Sequence, residues 1–553
     1  MSMAALFDHL RDHLPVLPIL LPLVAGALML VFDERRRMLK IVLSLITLAA
    51  LLWVAGALLA SALAPEPGQR EAIHVYRLGN WPAPFGIVLV VDRLSALMLA
   101  LAAVLGTASF IFSLARWHKA GPRYYTLFLF LLMGLNGAFL TGDLFNLFVF
   151  FEVMLAASYG LVLHGSGTAR IKAGLHYIPI NLVASSFFLV GVSLIYGVTG
   201  TLNMADLAER IPQVSAADRT LLEAGAGILG IAFLVKAAMW PLNFWLPTTY
   251  AAASAPVAAM FAIMTKVGVY VLLRLSLLLF GGMAGASAGF GTDVLFYGGL
   301  ATVAVGLTGV LASQSMPRLA GYSVLVSSGT LLAAVGTQNP SLISGALFYL
   351  VSSTLSVAAF FLLIEVIERG RIAGADVLAV SMEFFGDMEE EADPVKEEVG
   401  VALPLTIAVL GCGFIACTAL LAGLPPLSGF IGKFALLSAL MDGAGVRSAA
   451  TWVFVGLLSL SGFATLIAMT RTGINTFWVP MEAMLPKVRR VEFAAITVLL
   501  GLCAGLTVFA GPAMAYMDAT ARMLNRPSAY IEEVLAVARA GLPAPGANRE
   551  GGH

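Results

Sequence analysis

The sequence predicts an all-α integral membrane protein of about fourteen transmembrane helices, and three observations lead to this fold class. The 553 residues are 59% hydrophobic and only 12% charged, whereas a soluble domain has roughly 25% charged residues. Apolar runs of about the 20 residues that one membrane span requires recur along nearly the whole chain. A few ionisable residues lie inside these runs, as they do in proteins that carry ions across a membrane.

The apolar runs predict the helices one by one, with the long run 401–441 counted as one interrupted helix. The first run is followed by the charged segment Asp33–Arg37. It has no positive stretch before it and no small-residue cleavage site after it, so we expect an uncleaved first span. In chain order the predicted helices lie near 15–32, 40–63, 92–115, 124–141, 144–163, 174–199, 224–250, 254–281, 294–313, 318–337, 341–367, 401–441, 450–470 and 493–518.

The distribution of positive charge predicts the orientation, because loops rich in Lys and Arg stay in the cytoplasm. Most Lys and Arg residues fall in the loops after helices 1, 3, 5, 9, 11 and 13. The loops on the other side hold only Arg70, Arg77, Arg210, Arg219 and Arg447. Both termini are therefore expected to face outward. The chain has 32 basic and 32 acidic residues, so it has no basic surplus for binding nucleic acid.

Four segments follow from this pattern. Residues 1–121 form helices 1–3, residues 122–285 a first repeat of helices 4–8, and residues 286–480 a second repeat of helices 9–13. The second repeat includes an acidic segment, 369–399, which is expected to be a cytoplasmic loop or a lateral helix. Residues 481–553 hold helix 14 and an outward-facing tail, in which Tyr530–Ala540 is expected to form a short surface helix.

Four charged residues lie inside predicted helices: Glu152, Lys236, Lys266 and Lys433. A charge at the bilayer centre costs about 2.5–3.5 kcal/mol on insertion scales, so such residues face the protein interior or water. A fully buried lysine or glutamate can have a pKa near neutral pH, where it exchanges a proton readily. The alternative is a buried Glu–Lys pair that only fixes helix packing. Three lysines and one glutamate on four helices favour a role in proton movement.

Two of these lysines lie beside residues that break helices. Lys236 precedes Pro241 and Pro247, and Lys433 follows Pro425 and Pro426. Proline removes a backbone donor and clashes with the preceding turn, so these helices are expected to bend or unwind. The breaks fall in helices 7 and 12, five helices apart. This spacing predicts two inverted five-helix repeats, helices 4–8 and 9–13.

Other polar residues are secondary candidates for proton entry or relay. Asp143 is expected at the outer mouth between helices 4 and 5, with helix N-capping as the equal alternative. His176 is a possible relay, with a hydrogen-bonded structural role as its alternative. Ser353 and Thr354 either line a wet path or pack helices closely. Glu365, near the end of helix 11, is expected to face cytoplasmic water.

Several kinds of site are missing from the sequence. It contains no GxxxxGK[ST] phosphate loop, which argues against an ATPase. The cysteines, Cys412, Cys417 and Cys503, lie in apolar runs without the spacing of metal ligands, so they are expected to be small core residues and no metal site is predicted. The energy source is therefore expected to be an ion gradient or a partner protein.

At these residues the chain resembles a known family. The segments FLTGDLFNLFVFFEVMLAASYGL, VKAAMWPLNFWLPTTYAAASAPVAAMFAIMTKVGVYVLLR and LAGLPPLSGFIGKFALL resemble the antiporter-like subunits shared by respiratory complex I and the Mrp (Mnh/Pha) cation/proton antiporters. The sequence is most similar to the D-type subunit of the Mrp/Pha/Mnh antiporters, over roughly residues 80–480. The family's residues for proton translocation, in helices 5, 7, 8 and 12, fall here on Glu152, Lys236, Lys266 and Lys433.

One departure from the family concerns helix 11. Many members carry a histidine and a lysine there, whereas this chain has GALFYLVSSTLSVAAFF. Water held by Ser353 and Thr354 is the expected substitute for that relay. A long lateral C-terminal helix, frequent in complex I subunits, is not evident either.

The resemblance implies a subunit of a hetero-oligomeric complex in the bacterial cytoplasmic membrane. Such a subunit exchanges cytoplasmic Na⁺ or K⁺ for external protons, works with other membrane subunits and needs no cofactor. One alternative is a pump module of a redox-driven complex, such as complex I or a membrane hydrogenase. Another is a non-transporting scaffold with structural ion pairs, in which neutralising the lysines would have little effect.

Overall fold

The structure is a computed structural model that describes residues 13–63, 72–385, 405–442, 449–477 and 488–540. For 370–385 and 537–540 only the backbone is described. The later part of the expected cytoplasmic segment 369–399 and the last thirteen residues of the expected tail lie outside the described residues.

The described chain is almost entirely helical, as predicted. We number the long helices α1–α14 and write the two halves of the interrupted ones as a and b. They are α1 (Leu17–Val31), α2 (Arg37–Ser61), α3 (Arg93–Ser113), α4 (Tyr124–Leu140), α5 (Leu144–Val162), α6 (Thr168–Thr199), α7a (Ala216–Lys236), α7b (Leu246–Ala252), α8 (Ala255–Leu278), α9 (Thr292–Ala312), α10 (Met316–Gly336), α11 (Pro340–Phe385), α12a (Leu405–Ala422), α12b (Ser428–Asp442), α13 (Ala449–Phe477) and α14 (Arg490–Val508).

Twelve of the described helices are long and apolar enough to cross a membrane. Among the other predicted spans, α4 is apolar but has only 17 residues, and α7a carries charges at both ends. The multi-pass membrane fold is therefore confirmed, while the count of fourteen and the inverted repeats remain predictions.

Two predicted helices differ clearly in extent from the structure. Helix α11 does not end near residue 367 but continues to Phe385. The first half of segment 369–399, which was expected to be a loop or a lateral helix, is therefore helical. The predicted helix 493–518 is two helices, because the backbone of Phe509 leaves the helical conformation. The chain resumes as α15 (Ala510–Leu524), with Pro512 in its first turn, where proline is tolerated. Helix α16 (Ser528–Ala540) includes the predicted surface helix.

The centre of the molecule is built from α8, α10 and α11. The most hydrophobic stretches of α8 and α11 are 100% buried within the protein and that of α10 is 89% buried, whereas only 33% of the stretch in α6 is buried. Small residues let the helices pack closely there. At Gly299 of α9 and Gly329 of α10, a methyl group on either residue would lie 2.8 Å or less from the other's carbonyl oxygen.

The connections between the long helices carry further short elements. Strands β1 (His74–Arg77) and β2 (Val88–Val91) pair antiparallel, with His74 opposite Val91. A short helix, Met204–Arg210, follows α6. Single 3-10 turns occur at Leu14–Val16, Leu78–Asn80, Trp117–Lys119, Ile211–Gln213 and Gly285–Ser287.

Candidate functional site

The first interrupted helix places Lys236 at its break. Helix α7a ends at Lys236, and the chain is non-helical until α7b begins at Leu246, as the prolines predicted. Pro241 lies in the break, and Pro247 lies in the first turn of α7b. Lys236 is 8% exposed. Its Nζ donates to Oδ1 of Asn181 on α6 at 2.7 Å.

Hydroxyl groups of neighbouring helices bind the unwound backbone at this break. The Trp240 amide donates to Oγ1 of Thr302 on α9 at 2.9 Å, and the Ser328 hydroxyl on α10 donates to the Ala237 carbonyl. Non-helical backbone inside a membrane is tolerated only where protein or water satisfies it. These two contacts therefore make the break a stable part of the fold.

Glu152 does not pair directly with a lysine. It lies near the middle of α5 and is partly buried. Its carboxylate accepts a hydrogen bond from the Ser185 hydroxyl on α6. Among the ion pairs of the described residues, none within 4.0 Å includes Glu152 or Lys236. These two described side chains therefore do not form the direct glutamate–lysine pair considered from the sequence.

Helix α6 supplies the groups between the two charges, and sequence reasoning missed them. Tyr177, Asn181 and Ser185 are spaced by four residues, which places them on one face of the helix. The Tyr177 hydroxyl lies 2.7 Å from the Ser158 hydroxyl of α5. A polar residue at every fourth position was the available signal, but each residue alone resembles a helix-packing residue.

Lys266 begins a chain of hydroxyl groups that leads to α11. It lies in α8 and is 2% exposed. Its Nζ donates to the Ser327 hydroxyl of α10 at 2.8 Å. Ser327 in turn lies 2.9 Å from the Ser353 hydroxyl of α11. The hydrogen-bonded side chains of Lys266, Ser327 and Ser353 thus reach α11, the helix that lacks the family's ionisable residues.

A small cavity of about 20 Å³ continues from Ser353. A cavity of roughly 10–15 Å³ or more holds one water molecule when polar groups line it. The polar lining groups here are Ser323, Ser327, Tyr349, Ser353 and Thr465, and the opposite wall includes Leu420, Leu421 and Gly429.

Lys433 lies beyond this wall, at the second break. Helix α12a ends at Ala422 and α12b begins at Ser428, so Pro425 and Pro426 lie in the break, as predicted. Lys433 Nζ donates to the carbonyls of Ala422 at 3.0 Å and of Leu421 at 3.3 Å. The last carbonyls of a helix lack partners within it and carry partial negative charge. The ammonium therefore binds where the break exposes acceptors.

The secondary candidates fall in different places. Asp143 caps α5 by accepting from the amides of Phe145 at 2.8 Å and Asn146 at 3.0 Å. Burial raises the pKa of the Asp143 carboxyl above its usual value, although the two amides act in the opposite direction. Its contacts are those of the capping alternative.

Two further secondary candidates, His176 and Thr354, are not among the groups that hydrogen-bond to Glu152 or to the three lysines. His176 is exposed, and its Nδ1 lies 2.9 Å from the carbonyl of Lys172 in the same helix. Thr354 donates to the Leu350 carbonyl of its own helix at 2.6 Å and, unlike Ser353, does not line the cavity.

Glu365 is bound by protein groups rather than facing open water, contrary to the prediction. It accepts from the Trp117 indole at 2.6 Å and from Arg369 at 2.9 Å. Arg369 also pairs with the fully buried Glu492 of α14 at 2.8 Å. The sequence shows only a carboxylate near the end of a helix and does not show which distant segments pack against it. The prediction for Glu365 was wrong for this reason.

A second buried ion pair was also missed. Asp92 caps α3 and pairs with Arg274 of α8, and Arg274 lies over the ring of Tyr530 from α16. Burial opposes ionisation of Asp92, but the Arg274 charge and hydrogen bonds from Arg274 and Ser95 hold its pKa below the usual value. The pair ties α3, α8 and the C-terminal helix together, away from the three lysines. No group of three or more His, Cys, Asp or Glu residues that could hold a metal ion occurs in the described part of the chain.

Comparisons with known proteins agree with this architecture. A family model described as NADH:quinone oxidoreductase/Mrp antiporter, TM, matches residues 141–463. A relative from Rhizobium meliloti (strain 1021), named as the D-type subunit of a probable K(+)/H(+) antiporter, is 59% identical over 535 residues, which cover 96% of this chain and 99% of that protein. The D-type subunit of a Na(+)/H(+) antiporter from Alkalihalophilus pseudofirmus (strain ATCC BAA-2126 / JCM 17055 / OF4) is 34% identical over 539 residues, 95% of this chain and 99% of that one.

A solved structure is also similar over nearly the whole chain. It is a chain of the Mrp complex from Dietzia sp. DQ12-45-1b, with a TM-score of 0.77 and 26% sequence identity. The match covers 95% of this chain and 99% of that one.

Proposed function

The chain belongs to the NADH:quinone oxidoreductase/Mrp antiporter family, and we propose on that premise that it moves protons along Glu152, Lys236, Lys266 and Lys433. It is a membrane subunit of a multisubunit monovalent cation/proton antiporter, a transporter rather than an enzyme. The names of its relatives favour this function over a pump module of a redox-driven complex.

The observation that carries the proton path is the series of hydroxyls and the cavity between Lys266 and Lys433. A hydroxyl group both donates and accepts a hydrogen bond, so it can take part in proton relay without carrying a charge itself. Ser327 and Ser353 supply two hydroxyls next to Lys266, and the cavity has room for about one water molecule beyond them. This arrangement supports a neutral relay at α11 in place of an ionisable residue.

The end of this relay is a lysine that holds its proton against helix carbonyls. Leu421 both lines the cavity and accepts from Lys433. A protonated lysine offers three donors and a neutral one has a lone pair, so loss of a proton changes which contacts the group makes. Proton transfer through the cavity thus alters the contacts at the break in helix α12.

The exchanged cation is Na⁺ or K⁺, since the relatives are named for both ions. We propose that the chain acts inside a hetero-oligomer in the bacterial cytoplasmic membrane, with both termini outward. The asymmetry of Lys and Arg between the two sets of loops supports this orientation.

The test is exchange in inverted vesicles that contain the whole complex, with Na⁺ and K⁺ compared. Glu152→Ala and Lys236→Ala are expected to abolish cation-dependent proton flux while the complex still assembles. Lys40→Ala is the matched control, because Lys40 is also buried but pairs with Glu34 near the start of α2. Wild-type flux in both Glu152 and Lys236 variants would disprove the path.

A further inference from the structure

The face of α6 formed by Tyr177, Asn181 and Ser185 keeps the two charges of the first half of the molecule apart. The Lys236 ammonium is bonded to Asn181 at 2.7 Å, and the Glu152 carboxylate is bonded to Ser185. Because a helix rises about 1.5 Å per residue, these two binding points lie about 6 Å apart along its axis.

The orientation of the Asn181 side chain follows from its two hydrogen bonds. Its Nδ2 donates to the Tyr177 carbonyl one turn earlier at 2.7 Å. An ammonium group only donates, so the oxygen of the amide must face Lys236. Asn181 is 1% exposed, and its amide is therefore held in one orientation, with an acceptor aimed at the lysine.

The choice of partner is unusual for a buried lysine. An ammonium and a carboxylate attract each other as opposite charges in addition to forming a hydrogen bond, which a neutral amide cannot do. Lys236 is nevertheless bonded to a neutral amide, although the Glu152 carboxylate is bound by a residue only one turn further along α6. A lysine side chain has a flexible four-carbon stem, and moving its ammonium by one helical turn would bring it to Glu152.

We propose that Asn181 is a positioning residue, which holds the Lys236 ammonium away from Glu152 and so gives this lysine two alternative positions on α6. In one position the ammonium binds Asn181, and in the other it pairs with Glu152 in place of Ser185. This inference rests on the proposed function, because the two positions matter only if Lys236 takes up and releases a proton.

The elements packed against α7a carry the following ionisable groups on this part of the molecule. Helix α5 contributes Glu152, α6 contributes Tyr177, and α8 contributes Lys266. The Tyr177 hydroxyl is engaged with Ser158, and the Lys266 ammonium with Ser327. Glu152 is therefore the acceptor that Lys236 would reach if Asn181 were removed.

The test is the pH dependence of cation/proton exchange in vesicles that contain the whole complex, with Asn181→Ala compared to wild type. Without its amide partner the ammonium pairs with Glu152, and an opposite charge at close range holds the proton more firmly. The pH of half-maximal exchange is expected to rise by about one unit, the lower end of the effect of a charge at this range.

Two further variants complete the experiment. Asn181→Asp keeps an acceptor oxygen and adds a charge beside the lysine, so it is expected to shift the profile in the same direction. If Asn181→Ala does not assemble, an unshifted profile in Asn181→Asp overturns the inference. Asn136→Ala is the matched control, because Asn136 is also buried in a helix and donates to the Pro18 carbonyl at 2.9 Å.

The inference is overturned if the Asn181 variants assemble and show the wild-type pH profile of exchange. This holds even if the amount of assembled complex falls in these variants to the same extent as in Asn136→Ala. The proposed function fails separately, if Lys236→Ala retains wild-type exchange. Loss of exchange in Lys236→Ala together with an unshifted profile in Asn181→Ala would leave the function standing and remove the positioning role.

Discussion

Replacing Ser353 by valine is expected to interrupt proton movement between Lys266 and Lys433. The Ser353 hydroxyl is 2.9 Å from the Ser327 hydroxyl and lines the cavity of about 20 Å³. Valine removes the hydroxyl and adds one heavy atom at the wall of a cavity that holds about one water molecule. The relay then lacks both a hydroxyl and the space for its substitute.

The size of the effect follows from the contacts that each variant removes. Ser353→Ala loses one neutral hydrogen bond of about 1 kcal/mol but leaves room for water, which corresponds to an approximately fivefold slower exchange. Ser353→Val also leaves the Ser327 hydroxyl without its second partner, and an unsatisfied buried group costs up to about 3 kcal/mol, or about 100-fold in rate.

The assay is the rate of Na⁺- or K⁺-driven proton flux in inverted vesicles, normalised to the amount of assembled complex. Thr354→Val is the matched control, because Thr354 is the adjacent residue and its hydroxyl bonds to the Leu350 carbonyl of its own helix. Equal rates for Ser353→Val and Thr354→Val, both near wild type, would refute a relay through the cavity.

Two other variants test the break in α12 and the buried ion pair. In Gly429→Ala a Cβ would lie 1.9 Å from the Leu420 carbonyl oxygen, whereas a Cβ at Gly411 would have no atom within 4 Å. Exchange should therefore fall strongly in Gly429→Ala and stay at the wild-type level in the control Gly411→Ala. Equal activities of the two variants would contradict a tightly packed break. Arg274→Leu leaves Asp92 buried without its partner and should lower the stability of the complex by about 3–5 kcal/mol, measured as thermal unfolding in detergent. The pKa of Asp92 is lowered in the folded protein. The contribution of the Asp92–Arg274 pair to stability should therefore be complete at neutral pH and lost only as the pH falls below about 4, the ordinary pKa of an aspartate. A loss of this contribution between pH 7 and 8 would contradict an ionised Asp92.

Much of the fold was predictable, because the membrane imposes a simple rule on sequence. A span needs about 20 apolar residues, so the helices were found from the apolar runs, and the two breaks from the positions of their prolines. The same rule singled out Glu152 and the three lysines, since a charge in an apolar run is costly wherever it lies. The boundary of α11 was misplaced because hydropathy shows where apolar residues give way to charged ones, near Arg369, whereas the helix continues past that point.

The contacts of these charges were not predictable, since they join helices far apart in the chain. Asn181 and Ser185 have the same sequence signature whether they pack helices or bind charges. The sequence separation of 55 between Asn181 and Lys236 does not show that the two side chains meet. Glu365 shows the same difficulty, because its partners Trp117 and Arg116 come from a segment far earlier in the chain.

The sequence by itself determined that this is a many-spanning membrane protein with one glutamate and three lysines inside its helices, because apolar length and misplaced charge are local properties. Only the tertiary structure decided what those charges touch. It separated Glu152 from Lys236 by a polar face of α6, and it placed Ser353 rather than Thr354 at a water-sized cavity, because distances between side chains depend on how helices pack and not on their order in the chain.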